Sequence, residues 1–279
     1  MNHCKALFLV FFCIFSFNSF SQNLSTPGVN SQLYVGESDK QALIVGLGGS
    51  EGGNPWTSNY WKSTRDEFIS QGYAFLALGY FGAKGAPDSL DRISLEKVYG
   101  AIMEATKNPK IDNRKIALIG GSKGGELALL LASHFKAIKC VVAIVPSHVA
   151  FPGLTSHLST SSWTYQGLEV PYVPVSEETI PALIKRDLRL AFDTMLKDTV
   201  AVEKALIQVE NINGPVLLMS ATKDEMWGST PMSEAIVNRL KGKKFRHYYE
   251  HIAIEGGHTE PLKHFEEIFD FLKKHFEKK

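Results

Sequence analysis

Ile116-Ala-Leu-Ile-Gly-Gly-Ser-Lys-Gly-Gly-Glu-Leu-Ala-Leu-Leu-Leu131 decides the fold. One apolar run ends at Gly120-Gly121-Ser122-Lys123-Gly124, and a second follows at once. The first reads as a buried strand and the second as a buried helix. Between them stands G-x-S-x-G, which in that context is a nucleophile elbow. A sharp strand-to-helix turn lifts the serine above the sheet edge, where a base can reach its hydroxyl. Gly120 and Gly124 keep side chains out of a turn too tight to hold them. The helix N-terminus offers free N–H groups beside the nucleophile. The competing reading is an ordinary glycine-rich turn.

Outward from the elbow, short apolar runs alternate with amphipathic ones. Ala42–Leu47, Tyr73–Leu78, Cys140–Val145, Pro215–Ser220 and Phe245–Tyr249 read as strands. Residues 22–41 read as a lead-in holding one edge strand. Helices are expected over Trp56–Gln71, from Leu95 with Ser94 as N-cap, over Gly124–Phe135, over Pro231–Leu240 and over Pro261–Phe276. Apolar strands without polar alternation, separated by helices, predict an α/β fold with a mostly parallel, doubly wound sheet. Residues 147–213 break the pattern with Pro152, Trp163, Tyr165, Pro171 and Pro174, then a helical stretch over 182–196. Inserted at the carboxyl end of the sheet, they are expected to form a cap over the active site and to shape the acyl pocket.

The chain has 279 residues, 44% hydrophobic and 21% charged, with formal net charge +1. That is ordinary globular composition. It offers no basic face for nucleic acid and no acidic tail. Residues 1–21 differ in kind. Lys5, the apolar Ala6–Phe17 and small residues at Ser19 and Ser21 read as a signal peptide cut after Ser21, leaving a catalytic domain over 22–279. A periplasmic or secreted protein follows, with no stable membrane span after cleavage. An uncleaved anchor is the rival reading. Cys4 and Cys13 would be lost with the segment, leaving Cys140 as a buried core thiol without a disulfide partner.

A serine hydroxyl needs a base, and the base an orienting acid. α/β-Hydrolases order these as Ser, Asp or Glu, then His. Asp224 follows the strand 215–220 in a polar loop, and His258 sits in the glycine-flanked loop Glu255-Gly-Gly-His-Thr259 before the last helix. Both places are strand carboxyl ends, in the expected order. Glu225 and Asp193 are weaker candidates for the acid. His247, His251 and His264 are weaker ones for the base, and His134, His148, His157 and His275 read as surface or packing residues. The oxyanion hole is expected from backbone N–H groups of Lys123 and of the loop Gly48-Gly-Ser-Glu-Gly-Gly53, with Ser50 or Gly49 as donor. That loop lacks the Lys-Ser/Thr ending of a phosphate cradle. Trp163 and Tyr165 of the cap, with Trp227, are the expected substrate-binding aromatics. The Lys123 side chain reads as solvated, with an anionic leaving group as its alternative partner. No cluster has metal-ligand spacing, and no organic cofactor is implied.

The elbow Gly120-Gly-Ser-Lys-Gly-Gly-Glu-Leu-Ala-Leu129 resembles that of the catalytic C-terminal domain shared by acyl-CoA thioester hydrolases and bile acid-CoA:amino acid N-acyltransferases. Gly48-Gly-Ser-Glu-Gly-Gly53, Ala77-Leu-Gly-Tyr-Phe81, Ile207–Pro215, Asp224-Glu-Met-Trp227 and Gly256-Gly-His258 agree with it. The resemblance covers about residues 40–270. It implies an α/β-hydrolase fold, and Ser122, Asp224 and His258 as the triad. Acyltransferase members carry cysteine as nucleophile, so Ser122 points to hydrolysis of an acyl thioester or ester. The β-sandwich domain that precedes the catalytic domain in full-length animal enzymes is expected to be absent. The alternatives are a periplasmic carboxylesterase, a dienelactone hydrolase-like enzyme or peptidase, and a non-catalytic binding protein on a hydrolase scaffold. The expected partner is a small-molecule acyl ester or thioester; the sequence leaves acyl length and oligomeric state open.

Overall fold

The computed structural model describes residues 20–277. In chain order the elements are β1 (Phe20–Leu24), β2 (Asn30–Val35), β3 (Gln41–Leu47), α1 (Lys62–Ser70), β4 (Ala74–Gly79), β5 (Ile93–Ser94), α2 (Leu95–Ala105), β6 (Ile111–Gly121), α3 (Lys123–His134) and β7 (Ile138–Ile144). There follow β8 (Trp163–Tyr165), β9 (Leu168–Glu169), α4 (Ile180–Ile184), α5 (Leu188–Met195), α6 (Thr199–Ala205), β10 (Val216–Ala221), α7 (Ser229–Gly242), β11 (Tyr249–Ile254) and α8 (Phe265–Phe271).

Eight strands form one sheet in the order β1-β2-β4-β3-β6-β7-β10-β11. The six from β4 to β11 run parallel, and β1 and β2 add an antiparallel edge. This is the expected mostly parallel sheet, and the physical reason is visible strand by strand. β4 and β10 are buried along their whole length, as a strand covered on both faces must be. Alternate residues feed opposite cores. Leu43, Val45 and Leu47 of β3 join Val98 and Ile102 of α2 and Leu127 and Leu131 of α3 on one face. Ile44 of β3 joins Phe68 of α1 and Phe265, Ile268 and Phe271 of α8 on the other. Ser94 caps α2 by accepting the Lys97 N–H at 3.2 Å.

Several boundaries differ from expectation. The lead-in holds two strands, not one. β2 alternates between half-buried and buried residues and pairs with β4. The last strand lies at Tyr249–Ile254, several residues past the predicted Phe245–Tyr249. Phe245 instead closes α7, its N–H donating to the Leu240 carbonyl at 2.9 Å. The final helix is broken. A 3₁₀ turn at Glu260–Lys263 ends at His264, whose backbone leaves the helical region, and α8 starts afterwards and finishes in a π turn at Leu272–Phe276. The predicted signal segment lies outside the described residues except for Phe20 and Ser21, which open β1. Cys140 is buried and free. Among the described residues no helix is long and apolar enough to cross a membrane.

Residues 147–213 connect β7 to β10. They hold the small sheet made by β8 and β9 with β5, and the short helices α4 to α6. Val149, Phe151, Val173, Met195 and Ala205 from this segment pack with Trp227 and Met232 into a third, smaller core.

Candidate active site

Ser122 stands alone between the end of β6 and the start of α3, with φ 54° and ψ −120°. A non-glycine residue avoids this region unless its surroundings impose it. Here the backbone is pinned. The Ser122 N–H donates to the Ile144 carbonyl at 2.9 Å, and the Ser122 carbonyl accepts from Gly125 at 2.9 Å and Glu126 at 3.1 Å. The flanking glycines are dictated by close approach. A Cβ on Gly120 would lie 2.0 Å from the Gly124 carbonyl oxygen, and one on Gly124 would lie 2.3 Å from that of Gly48.

The loops after β10 and β11 bring Asp224 and His258 together. Asp224 Oδ1 lies 2.8 Å from His258 Nδ1 and accepts the N–H groups of Met226 at 3.0 Å and Trp227 at 3.2 Å. Asp224 is 2% exposed. Burial pushes its carboxyl upward, but the hydrogen bonds, led by that of His258, outweigh this and hold it below the usual range. Its Oδ2 is buried without a partner. With Nδ1 directed at the acid, Nε2 is the nitrogen left for proton transfer. The Trp227 ring meets the imidazole edge-on at 5.9 Å. Ser122 and His258 line one cavity of 160 Å³. No hydrogen bond joins Ser122 Oγ to the ring, a contact that commonly tightens once substrate is bound.

The weaker candidates fall elsewhere. Glu225 accepts the backbone N–H of His258 at 2.9 Å and so steadies the loop, not the ring. Asp193 pairs with Arg189 at 2.8 Å. His251 is bonded to Ser220 at 2.7 Å within the sheet, and His264 lies beside Glu266. His247 packs on Phe245. His134 lies against Tyr165, His157 bonds Ser159, and His275 stacks on Tyr248. Among the described residues no cluster of His, Cys, Asp or Glu is placed to hold a metal ion.

A second cavity of 280 Å³ also has Ser122 on its wall and shares Ser50 and Met226 with the first. Phe151, Leu183, Leu188, Phe192 and Met195 of the inserted segment line it, with Met226 and Trp227. Ser50 and Lys123 stand at its edge. Lys123 is the first residue of α3, so its N–H has no acceptor within the helix and is open to an oxyanion. Gly49 does not share that role, because the Glu51 carboxylate already occupies its N–H at 3.0 Å. Of the three expected aromatics only Trp227 lines the cavity. Trp163 is fully buried, bonded to Glu126 and packed on Tyr80, and Tyr165 lies against His134 and Phe135. Aromatic composition marked the right segment but not the face its rings would take.

The Lys123 side chain is not solvated. Its ammonium lies 2.8 and 2.9 Å from the two carboxylate oxygens of Glu126, 5% and 0% exposed, and 5.5 Å from the Trp163 ring. Burial pulls the lysine pKa down, and Glu126 opposes that. Glu126 also accepts the Trp163 indole N–H at 2.6 Å and the Phe151 N–H at 3.3 Å. The pair lies within the elbow helix, and its hydrogen bonds to Phe151 and Trp163 tie that helix to the inserted segment. The sequence places Glu126 in the elbow motif without a role, although its i,i+3 spacing from Lys123 is a readable signal of pairing. Phe192 and Met195 were missed too, and the apolar face of α5 would have given them. Val145, at φ 42°, is a second strained residue at the site. Its carbonyl accepts the Trp227 indole N–H at 3.1 Å.

Comparison with known proteins adds to this geometry. The family model "BAAT / Acyl-CoA thioester hydrolase C terminal" matches residues 95–262. The chain is 27% identical over 179 residues to mouse acyl-coenzyme A thioesterase 2, mitochondrial, covering 61% of this chain and 36% of that protein. It is 28% identical over 174 residues to mouse acyl-coenzyme A amino acid N-acyltransferase 1, covering 62% and 38%. The chain therefore spans little more than a third of the length of these relatives. Among solved structures, a Pyrococcus horikoshii acylaminoacyl peptidase superposes with TM-score 0.66 at 14% identity, over 94% of this chain and 42% of that one. A Pyrococcus furiosus esterase does so with TM-score 0.60 at 16% identity, over 99% and 100%. At these identities the structural likeness establishes the α/β-hydrolase fold.

Proposed function

The chain belongs to the BAAT / acyl-CoA thioester hydrolase C-terminal family, and from that premise we propose that it is a serine hydrolase of acyl esters or thioesters. The observation that carries the reading is the position of Ser122. It is held in a strained turn between an apolar cavity and a second cavity that it shares with an Asp224-bound histidine. Family membership alone leaves hydrolysis and acyl transfer open. A serine where the acyltransferases carry cysteine favours hydrolysis.

In the proposed mechanism Ser122 Oγ attacks the acyl carbonyl while His258 Nε2 takes its proton. Asp224 fixes the ring tautomer and offsets the charge that develops on it. The N–H groups of Lys123 and Ser50 meet the oxyanion, each contributing about 3 kcal/mol to the lowering of the barrier. His258 returns its proton to the leaving group. Water, deprotonated by the same histidine, then cleaves the acyl-enzyme. The inserted segment acts as a cap that holds the acyl chain. No cofactor enters these steps. The N-terminal residues direct the protein to the periplasm or the exterior, with the leader cut after Ser21. That cut lies within β1 and would leave Gln22–Leu24 to pair with β2.

The test is hydrolysis of p-nitrophenyl octanoate by purified residues 22–279, with Ser122→Ala alongside. A loss of about 10⁶-fold in kcat is expected, together with labelling of Ser122, and of no other residue, by a fluorophosphonate. Equal turnover by both proteins would sink the serine mechanism.

A further inference from the structure

Ser122 faces two chambers that differ in chemistry. The larger is walled by aliphatic and aromatic side chains, and the one charged residue on its wall, Lys123, is neutralised by Glu126. The smaller is walled by Glu51, Trp56, Trp61, His258, Thr259 and Leu262, among others. His258 lines only the smaller chamber. In a serine hydrolase the histidine hands its proton to the departing atom, so that atom must lie on the histidine's side of the serine. The acyl group then occupies the larger chamber and the leaving group the smaller one.

We propose that the smaller chamber is a leaving-group site for an uncharged or cationic alcohol, amine or thiol, that it disfavours polyanionic thiols, and that Glu51 sets this preference. The proposal rests on the serine hydrolase reading and deepens it. Glu51 Oε1 accepts the Gly49 N–H at 3.0 Å, and Oε2 lies 2.8 Å from where a Gly49 Cβ would stand. That same point is 3.4 Å from Ser122 Cβ, so the carboxylate is a close neighbour of the nucleophile. None of the ion pairs among the described residues includes Glu51. The chamber has no lysine or arginine on its wall. Beside it, Glu225 is bonded to the His258 backbone and Glu260 is paired with Lys263. Arg189, on the cap side, is committed to Asp193 and to the Asp224 carbonyl. Trp56 and Trp61, with ring centroids 4.6 Å apart, complete the wall. A carboxylate without a cationic partner attracts cations and repels phosphates.

The experiment holds the acyl group constant and varies the leaving group. Octanoyl-N-acetylcysteamine and octanoyl-CoA are both thioesters, neutral and polyanionic. p-Nitrophenyl octanoate and octanoylcholine are the neutral and cationic oxygen esters. At low ionic strength kcat/KM for the cysteamine thioester should exceed that for the CoA thioester by about tenfold or more, the scale of one unscreened charge contact. Added NaCl should raise turnover of the CoA thioester and lower that of the choline ester. Glu51→Gln, which keeps an oxygen for the Gly49 N–H, should narrow the cysteamine-to-CoA ratio. A CoA thioester turned over as well as the cysteamine one, or salt lowering its turnover, would overturn the proposal even if Glu51→Gln failed to fold. So would an unchanged ratio in Glu51→Gln. If no substrate gave turnover sensitive to Ser122→Ala, the serine hydrolase reading itself would fall, and this proposal with it.

Discussion

The carboxyl edge of the sheet and the cap that covers it are held by different forces. Ser122, Asp224 and His258 stand at the ends of β6, β10 and β11; β6 and β10 are interior strands packed from both faces, and β11 is the half-buried edge strand paired along its length with β10. Each fully buried Leu, Ile or Val there contributes about 1.5–3 kcal/mol. The cap has short helices, a core of few residues, and exposed apolar side chains such as Ile184 and Leu190. It is anchored to the elbow helix by the Lys123–Glu126 pair and its bonds to Phe151 and Trp163. A frame built this way fixes the positions of Ser122, Asp224 and His258, while an inserted segment so attached is freer to vary. The division also implies that damage to the two regions should be separable by experiment.

The largest effect lies on the sheet side. Asp224→Asn keeps an oxygen for the Met226 and Trp227 N–H groups but removes the negative charge that offsets the imidazolium forming on His258. A fall in kcat of about 10⁴-fold is expected, with KM and cap structure unchanged. Pre-steady-state kinetics with p-nitrophenyl octanoate would check it. A rise in KM as large as the fall in kcat would mean that acid and cap are not independent.

At the seam the prediction reverses, with stability lost before chemistry. Glu126→Ala strips the partner from a buried ammonium, an indole N–H and the Phe151 N–H. Breaking one half of a buried pair costs about 3–5 kcal/mol. Urea unfolding should show this as a lower midpoint. Replacing both charges with apolar groups, Lys123→Met with Glu126→Leu, should cost less than Glu126→Ala alone. If the double variant were the weaker, the hydrogen bonds to Phe151 and Trp163 would matter more than the charge pair.

The frame was readable in the sequence and the cap was not, for a physical reason. A strand buried on both faces must be apolar throughout, so Val216–Ala221 announces itself. Gly120 and Gly124 are fixed by backbone contacts that no other residue tolerates. The placing of Asp224 and His258 followed from strand ends and chain order. In the cap nothing imposes a period. Trp163 and Tyr165 turned inward because Glu126 and His134 offered partners on α3, which no local pattern reveals. The Lys123 side chain was misjudged because lysine is usually exposed, and only the fold brings Glu126 and Trp163 around it. Gly49 was excluded as an oxyanion donor by the Glu51 side chain, a bond that depends on one rotamer.

A smaller effect should appear at the cap's root. The Nδ1 of His148 is buried without a hydrogen-bond partner, and burial lowers the pKa of the ring to about 4. The unfolded chain titrates near 6.5. Between these values the unfolded state binds more protons, so stability falls as pH drops from about 6.5 to 4 and this contribution is constant below. The accumulated loss is about 3 kcal/mol. His148 carries the carbonyl that accepts from Ile207, beside the Val149–Leu206 bridge, so the loosening should begin in the cap. Melting temperatures of the wild type and His148→Phe from pH 7.5 to 4 would check this. Parallel curves would show that the ring does not govern acid sensitivity.

The smallest effect tests whether the frame carries strain at Ser122. Ser122 sits at positive φ, which costs a non-glycine residue about 1–3 kcal/mol. Glycine adopts that backbone freely but loses more entropy on folding, by about 0.5–1 kcal/mol. Ser122→Gly should therefore abolish turnover while raising stability by about 1 kcal/mol, or roughly 2–4 °C in Tm for a chain of this size. Ser122→Ala keeps a Cβ and so keeps the strain; it should lose activity without the gain. The contrast between the two variants isolates backbone strain from the loss of the hydroxyl, because both lack Oγ. If both variants gained stability equally, the cost would reside in the hydroxyl at the mouth of the two chambers, and the turn would be relaxed. If neither gained, the folding entropy that glycine loses would match the relief of strain, and the strain at Ser122 would lie near the lower end of that range, about 1 kcal/mol.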